Sequence, residues 1–412
     1  MINHLPRLLL LVGLLLGAST SPVAAQNNLT AQFDQIAEET SELRDLPIET
    51  DIQEALLSRE TLEQRLIDDF ATDYPPEDVE EDTRLLEVFG LMPAGTDLKQ
   101  LYLDLLTEQI AGFYDPRTDE LYVISSSSEL SDLEEWTYAH EVVHALQDQA
   151  FDLEAVQDRA NDVDDASLAI SALIEGDATA LGNDYLTENP GLLLGISQAL
   201  TGGDIDSSQL EQAPPIISQT LLFPYEAGLS FVTALREDGG WDAVDAAYAD
   251  PPTSTEQILH PEKYLDRDEP TMVTLPDLEA ALDGYQILDE NNLGEFQTRV
   301  LLEGGGDTDA AETAAAGWDG DRYALLASGD DEVLVWETVW DSDADAEEFA
   351  STLRATDETR FNATYAESEG TLALTTDGQS ARIEIEGSRV RYVLAPNTDL
   401  ADTALAAFAA AS

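Results

Sequence analysis

The chain is predicted to be α+β, with a mainly helical core, a short β-hairpin set before a histidine-bearing helix, and a small C-terminal α+β domain. Three observations predict it. Apolar residues make up 43% of the chain and recur at helical spacing through most of its first half. The stretch AGFYDPRTDELYVIS reads instead as two short strands joined at Asp115-Pro116-Arg117-Thr118. Near the C-terminus, ARIEIEG and RVRYVLA alternate with the period of half-buried strands.

The elements follow in order. MINHLPRLLLLVGLLLGASTSPVAAQ carries one Arg, an apolar run from Leu8 to Ala18, and small residues ending Val23-Ala24-Ala25. This is the pattern of a secretory signal (1–25), cleaved after Ala25. The alternative, a membrane anchor, needs a longer apolar run. No later segment is long and apolar enough to span, so the mature chain is expected to be secreted or held at the cell surface, with no membrane span. Residues 26–105 form an N-terminal helical region. In it LLSRETLEQRLIDDF is amphipathic at helical spacing, and Tyr74-Pro75-Pro76 breaks the pattern.

The core is expected over 106–303. After the hairpin, Ser131-Asp132-Leu133-Glu134 has the form of a capping box and opens a helix running to about Phe151. A second helix spans roughly Asp165 to Leu186, and further helices lead to a loop and a short ordered segment within Ala249 to Leu265. The stretch EGGGDTDAAETAAAGWDG turns small and flexible and marks a linker over 304–320. The C-terminal domain (321–412) holds strands in RYALLAS, EVLVWETVW, TLALTT, ARIEIEG and RVRYVLA. Its helices lie in DADAEEFASTLRA and near Leu400 to Ala410.

Charge narrows the function classes. With 85 acids against 18 bases the formal charge is −67, and lysine occurs only as Lys99 and Lys263. Such repulsion opposes collapse in dilute buffer. At molar ionic strength the Debye length is only about 3 Å, so an acid-covered folded protein suits very high salt. The same sign of charge argues against nucleic acid and anionic membrane as partners. Cysteine is absent, which excludes disulfides, thiolate metal sites and a cysteine nucleophile. The acidic runs lack the spacing of a calcium loop and read as solvated faces. Asn28-Leu29-Thr30 and Asn362-Ala363-Thr364 fit the glycosylation pattern of an exported chain.

Of four histidines, His4 falls in the signal and two stand in TYAHEVVHALQDQAF. On a helix His140 and His144 share one face and can present both imidazoles to one zinc ion. Glu141 projects beside that face, within reach of a water on the ion. The third ligand is His260 or a carboxylate. Glu175, in SALIEGDATAL, sits among Ser171, Ala172, Gly176, Ala178 and Thr179. That small-residue face suits close approach to another helix, where an acid must be paired or bound to metal; an ordinary solvated Glu is the alternative. His260, in ILHPEKY, is either an oxyanion donor or the cap of a turn before Pro261. The strand pair ending at Ile124 is either a sheet edge that an extended peptide could join or an internal hairpin.

HEVVH followed about thirty residues later by a helix bearing E-G-D-A resembles the gluzincin class of zinc metallopeptidases. More narrowly, AGFYDPRTDELYV, HEVVHALQDQAFDL, ALIEGDATA and STEQILHPEKYL resemble a family of exported, largely uncharacterised proteins assigned as metallopeptidases, some from halophiles. The likeness covers about residues 40–400, including WDGDRYAL and WDSDADAEEF. It implies a zincin-like core, His140, His144 and Glu175 as zinc ligands, Glu141 as general base, and a peptide or protein substrate. LFPYEAGLSFV resembles the helix carrying the transition-state tyrosine of aminopeptidase N-like enzymes. Tyr225 is therefore a candidate oxyanion donor, the alternative being a tyrosine packed beside Phe223 and Pro224. The chain departs from the gluzincin pattern at Thr179, where an acid is expected, which leaves open the group that orients the histidines. The expectation is an exported zinc peptidase. The alternative is a non-catalytic surface protein with a structural zinc site, and no oligomeric state follows from the sequence.

Overall fold

The computed structural model describes residues 24–109, 112–124, 130–202, 208–368 and 370–411. The expected signal peptide falls outside them apart from its last two residues. Helix α1 (Ala24–Arg44) sets Phe33 against Tyr138 at 4.4 Å between ring centroids and ends on a buried Arg44. Strand β1 (Gln53–Leu57) interrupts the helical region expected over 26–105. Its sequence, QEALL, has no strong strand preference, and parallel pairing with β3 decides its conformation. Helix α2 (Arg59–Asp73) starts where the Ser58 hydroxyl accepts the Thr61 N–H at 3.2 Å. It stops before Pro75, and α3 (Pro76–Phe89) begins with Pro76 at its first turn. Helix α4 is Leu98–Gln109.

β2 (Gly112–Asp115) and β3 (Glu120–Ile124) are the two predicted strands, in a three-stranded sheet of order β1-β3-β2. The strand ending at Ile124 is thus central, paired on both sides, and among the described residues the edge strands of this sheet are β1 and β2. Helix α5 (Asp132–Phe151) has the expected capping box, with Glu134 accepting the Ser131 N–H at 2.7 Å.

The remaining helices of the core are α6 (Leu153–Gln157), α7 (Asp164–Glu188), α8 (Pro190–Gly202), α9 (Ser208–Gln212), α10 (Pro215–Gly239), α11 (Trp241–Ala249), α12 (Thr255–Leu259), α13 (Pro261–Asp266) and α14 (Leu278–Ala281). Helices α7 and α10 meet backbone to backbone. A Cβ on Gly176 would lie 2.3 Å from the Gly228 carbonyl, and one on Gly228 would lie 2.1 Å from the Ala172 oxygen. Only glycine fits at either place. The small residues around Glu175 are therefore a packing face. Among the described residues no helix is long and apolar enough to cross a membrane.

The C-terminal part is β4 (Gln286–Asn291), α15 (Gly294–Glu303), α16 (Thr308–Ala315), β5 (Trp318–Ser328), β6 (Asp331–Trp340), α17 (Asp343–Phe361), β7 (Ala366–Ser368), β8 (Thr371–Thr375), β9 (Ser380–Glu386), β10 (Arg389–Ala395) and α18 (Thr398–Ala411). Its strands form one antiparallel sheet of order β4-β5-β6-β10-β9-β8-β7. The two faces follow the period of two: Val333, Val335 and Val393 pack on α18, while Leu334, Trp336 and Tyr392 face the main core. The chain is α+β.

The expected linker over 304–320 is a correction. Its alanines form α16, with Ala311, Ala314 and Ala315 buried, and the sheet begins before it at Gln286. One apolar cluster runs from Leu62 to Leu394 across the supposed boundary. Polar contacts reinforce the joint. The Asp321 carboxylate on β5 accepts the N–H groups of Leu293 and Gly294 at 2.9 and 3.0 Å, and the indoles of Trp318 and Trp336 at 3.1 and 2.8 Å. It thereby caps the start of α15, where a negative charge is favoured. Arg360 on α17 donates to the last carbonyls of α3, at Val88 and Phe89, both at 2.8 Å.

Candidate metal centre

Helix α5 turns His140 and His144 towards α7, and Glu175 answers from α7. His140 Nε2 lies 3.2 Å from Glu175 Oε2, His144 Nε2 lies 3.5 Å from the same oxygen, and the two Nε2 atoms are 3.2 Å apart. Every pair among the three residues' ligand atoms falls within 4.8 Å. Their exposures are 8%, 1% and 1% in chain order.

The donor set fits a metal ion. Ligand atoms about 2.0–2.2 Å from a tetrahedral ion stand about 3.3–3.6 Å from one another, close to the three separations found. The second carboxylate oxygen, Glu175 Oε1, is buried without a hydrogen-bond partner, a costly state that a cation would relieve. Two imidazoles and one carboxylate suit a divalent transition metal. A three-residue set also leaves room for water or substrate on a four-coordinate ion.

The electrostatics are those of a buried, tightly coupled group. Burial alone would raise the Glu175 pKa, but the two imidazoles outweigh it and hold the carboxyl at about 2. Burial would lower that of His144, and Glu175 instead lifts it to about 9. Glu141 lies beside both histidines, and its Oε2 accepts the Tyr114 N–H of strand β2 at 3.0 Å. Burial raises its pKa to about 7 despite the opposing pull of His144 and His140. A carboxylate poised there suits proton transfer near neutral pH.

Tyr225 joins the site. Its ring stacks on that of His140 at 6.2 Å with 27° between planes. Burial, then the nearby carboxylates of Glu175 and Glu141, keep the phenol protonated by raising its pKa well above the usual value. The Gly176–Gly228 contact brings it there, since Gly228 lies one turn after Tyr225 and Gly176 next to Glu175.

His260 is placed differently. Its Nε2 pairs with Glu295 at 2.9 Å, its N–H bonds the Glu256 carbonyl, and its own carbonyl accepts the Lys263 N–H. It joins α12 to α13 before Pro261, as the turn-capping alternative expects, and is not one of the clustered ligands.

Residues 284–404 match a domain of unknown function, DUF8575. The match takes in the whole C-terminal sheet from β4 and ends inside α18, leaving out the metal centre. It also begins before the expected linker, as the fold does. No curated protein matches the chain. Among solved structures, one from Chloroflexus aurantiacus, provisionally assigned as a hydrolase with a novel fold, is similar at 16% identity and a TM-score of 0.36; the alignment covers 57% of this chain and 89% of that one.

Sequence reasoning missed the polar shell behind His144. Its Nδ1 meets Gln147 Oε1 at 2.9 Å. Gln147 Nε2 donates to the Ile174 carbonyl and to Asp177 Oδ2, both at 3.0 Å. Asp177 in turn accepts from Arg44 at 2.7 and 3.1 Å and from the Tyr248 hydroxyl at 2.8 Å. Thr179, the residue that departs from the gluzincin pattern, has a buried hydroxyl without a hydrogen-bond partner.

Proposed function

We propose that the protein is an exported zinc-dependent peptidase of gluzincin type, adapted to high salt. The observation that carries this reading is the convergence of His140, His144 and Glu175 with Glu141 alongside. Bound there, zinc would polarise a scissile carbonyl and acidify a water molecule. Glu141 would take a proton from the attacking water as its oxygen bonds to the carbonyl carbon, and would pass that proton to the amine nitrogen as the C–N bond breaks. The Tyr225 phenol donates to the oxygen on which negative charge develops. Export rests on the N-terminal sequence pattern, and salt adaptation on the net charge of −67.

A second reading, a structural zinc site tying α5 to α7, is favoured by the near-complete burial of His144 and Glu175. Hydrolysis of a mixed peptide library in multimolar salt separates the two, with wild type compared against Glu141→Gln. Cleavage by wild type that is lost in the variant while zinc is retained supports the peptidase. Equal cleavage by both, or none by a zinc-loaded wild type, leaves the structural site.

A further inference from the structure

We propose that Gln147 is the positioning residue of His144, holding its ring as the Nδ1–H tautomer so that the Nε2 lone pair faces His140 and Glu175. The inference rests on the metal reading above and adds the group that sets one ligand's protonation.

The hydrogen-bond pattern admits one orientation of the amide. Its NH2 group has two acceptors, the Ile174 carbonyl and Asp177 Oδ2, each at 3.0 Å. Turned over, its oxygen would face both of those oxygens. Its oxygen therefore faces His144 Nδ1 at 2.9 Å and must accept, so that nitrogen carries the hydrogen. The lone pair is then left on Nε2, the atom lying 3.2 and 3.5 Å from the other two ligands.

The amide is itself fixed. Asp177 receives a two-point contact from Arg44, and both side chains are fully buried. Arg44 also bonds Asp245 at 2.7 Å and lies 4.3 Å over the Trp241 ring. Helices α1 and α11 thus fix Asp177, which fixes Gln147, which fixes the imidazole. Groups behind a metal-bound histidine tune affinity in this way. A neutral amide does so without adding charge, so Glu175 remains the one anion among the three ligands. Thr179, whose hydroxyl has no hydrogen-bond partner, does not share the task.

With only four histidines, the tautomer can be read in the whole protein by 15N-histidine labelling. In zinc-loaded wild type, His144 is expected to show a protonated, slowly exchanging Nδ1. A protonated Nε2, or an Nδ1 without hydrogen, overturns the proposal. Gln147→Leu is expected to weaken zinc about 10–100-fold in a chelator competition. Wild-type affinity in Gln147→Leu also overturns it. If that variant does not fold, the wild-type tautomer decides alone. A wild type that takes up no zinc removes the metal reading itself, a different result from zinc held by the other tautomer.

Discussion

The carboxylate of Glu141 is tied to the backbone of an edge strand, its Oε2 accepting the Tyr114 N–H at 3.0 Å. That bond aims the side chain from the histidine helix towards β2. Burial still holds its pKa at about 7, so ionising it costs the folded protein stability. A raised carboxyl stabilises below its unfolded pKa near 4.5, and that contribution is lost as pH rises through about 7. Glu141→Gln should therefore keep zinc, lose about 100-fold or more in kcat, and unfold at higher temperature than wild type at pH 8 when both are metal-free. A lower Tm for the variant would contradict the burial argument.

The His144–Glu175 pair gives the metal-free protein a pH window. His144, lifted from 6.5 to about 9, stabilises fully below 6.5 and loses its contribution as pH rises through about 9. Glu175, lowered from 4.5 to about 2, stabilises above 4.5 and loses its contribution as pH falls through about 2. The advantage of metal-free wild type over Glu175→Gln should thus peak between about pH 4.5 and 6.5. Zinc affinity should rise with pH across the same range and beyond, because His144 must shed a proton to bind. Thermal unfolding with and without metal, from pH 4 to 9, checks both signs.

Tyr225 and His260 should separate cleanly. Tyr225→Phe removes a donor beside the reacting atoms and should lower kcat about 100–1,000-fold with KM little changed. His260→Ala should leave kcat near wild type but cost about 1–3 kcal/mol, because it leaves buried Glu295 without its partner. Steady-state kinetics and denaturant unfolding of the two variants read the contrast; a kcat loss confined to His260→Ala would reverse the roles.

Helix spacing should matter as much as side-chain identity. Gly228→Ala drives a methyl into the Ala172 carbonyl and must part α10 from α7. A loss of at least about 1–3 kcal/mol is expected from such overpacking, together with a kcat loss from moving Tyr225. An alanine variant with unchanged Tm and kcat would show the contact to be loose.

Salt should stabilise strongly. With a charge of −67, the unfolding midpoint should climb as KCl goes from about 0.1 to several molar, the Debye length falling from about 10 to about 3 Å. The bases are too few to balance the acids, 18 against 85, and Arg391 alone already meets Glu337, Glu384 and Glu386. A midpoint indifferent to salt would remove the halophilic reading.

Much of the site is legible in the sequence because it obeys local rules. The spacing of His140 and His144 follows from one helical turn, the capping box marks where that helix starts, and the small residues flanking Glu175 announce a close neighbour. What escapes is non-local or chemically ordinary. Arg44 reaches Asp177 across 133 positions, and no pattern links them. Gln147 looks like any polar residue on a helix until its partners are known. QEALL becomes β1 through a partner strand far ahead in the chain, and the alanine-rich stretch after Gly306 becomes a helix because small residues fit beneath α17. Both misreadings come from taking composition as a guide where tertiary contacts decide.

The apolar cluster that opens at Leu62 and closes at Leu394 also sets an order of events. A chain emerging from its N-terminus has made both histidines and Glu175 long before it makes the strands that seal the wall behind α15. The helix that carries Glu175 gives Ala172, Leu173 and Ile174 to that same cluster, so removing the last strands would uncover part of the core on which it rests.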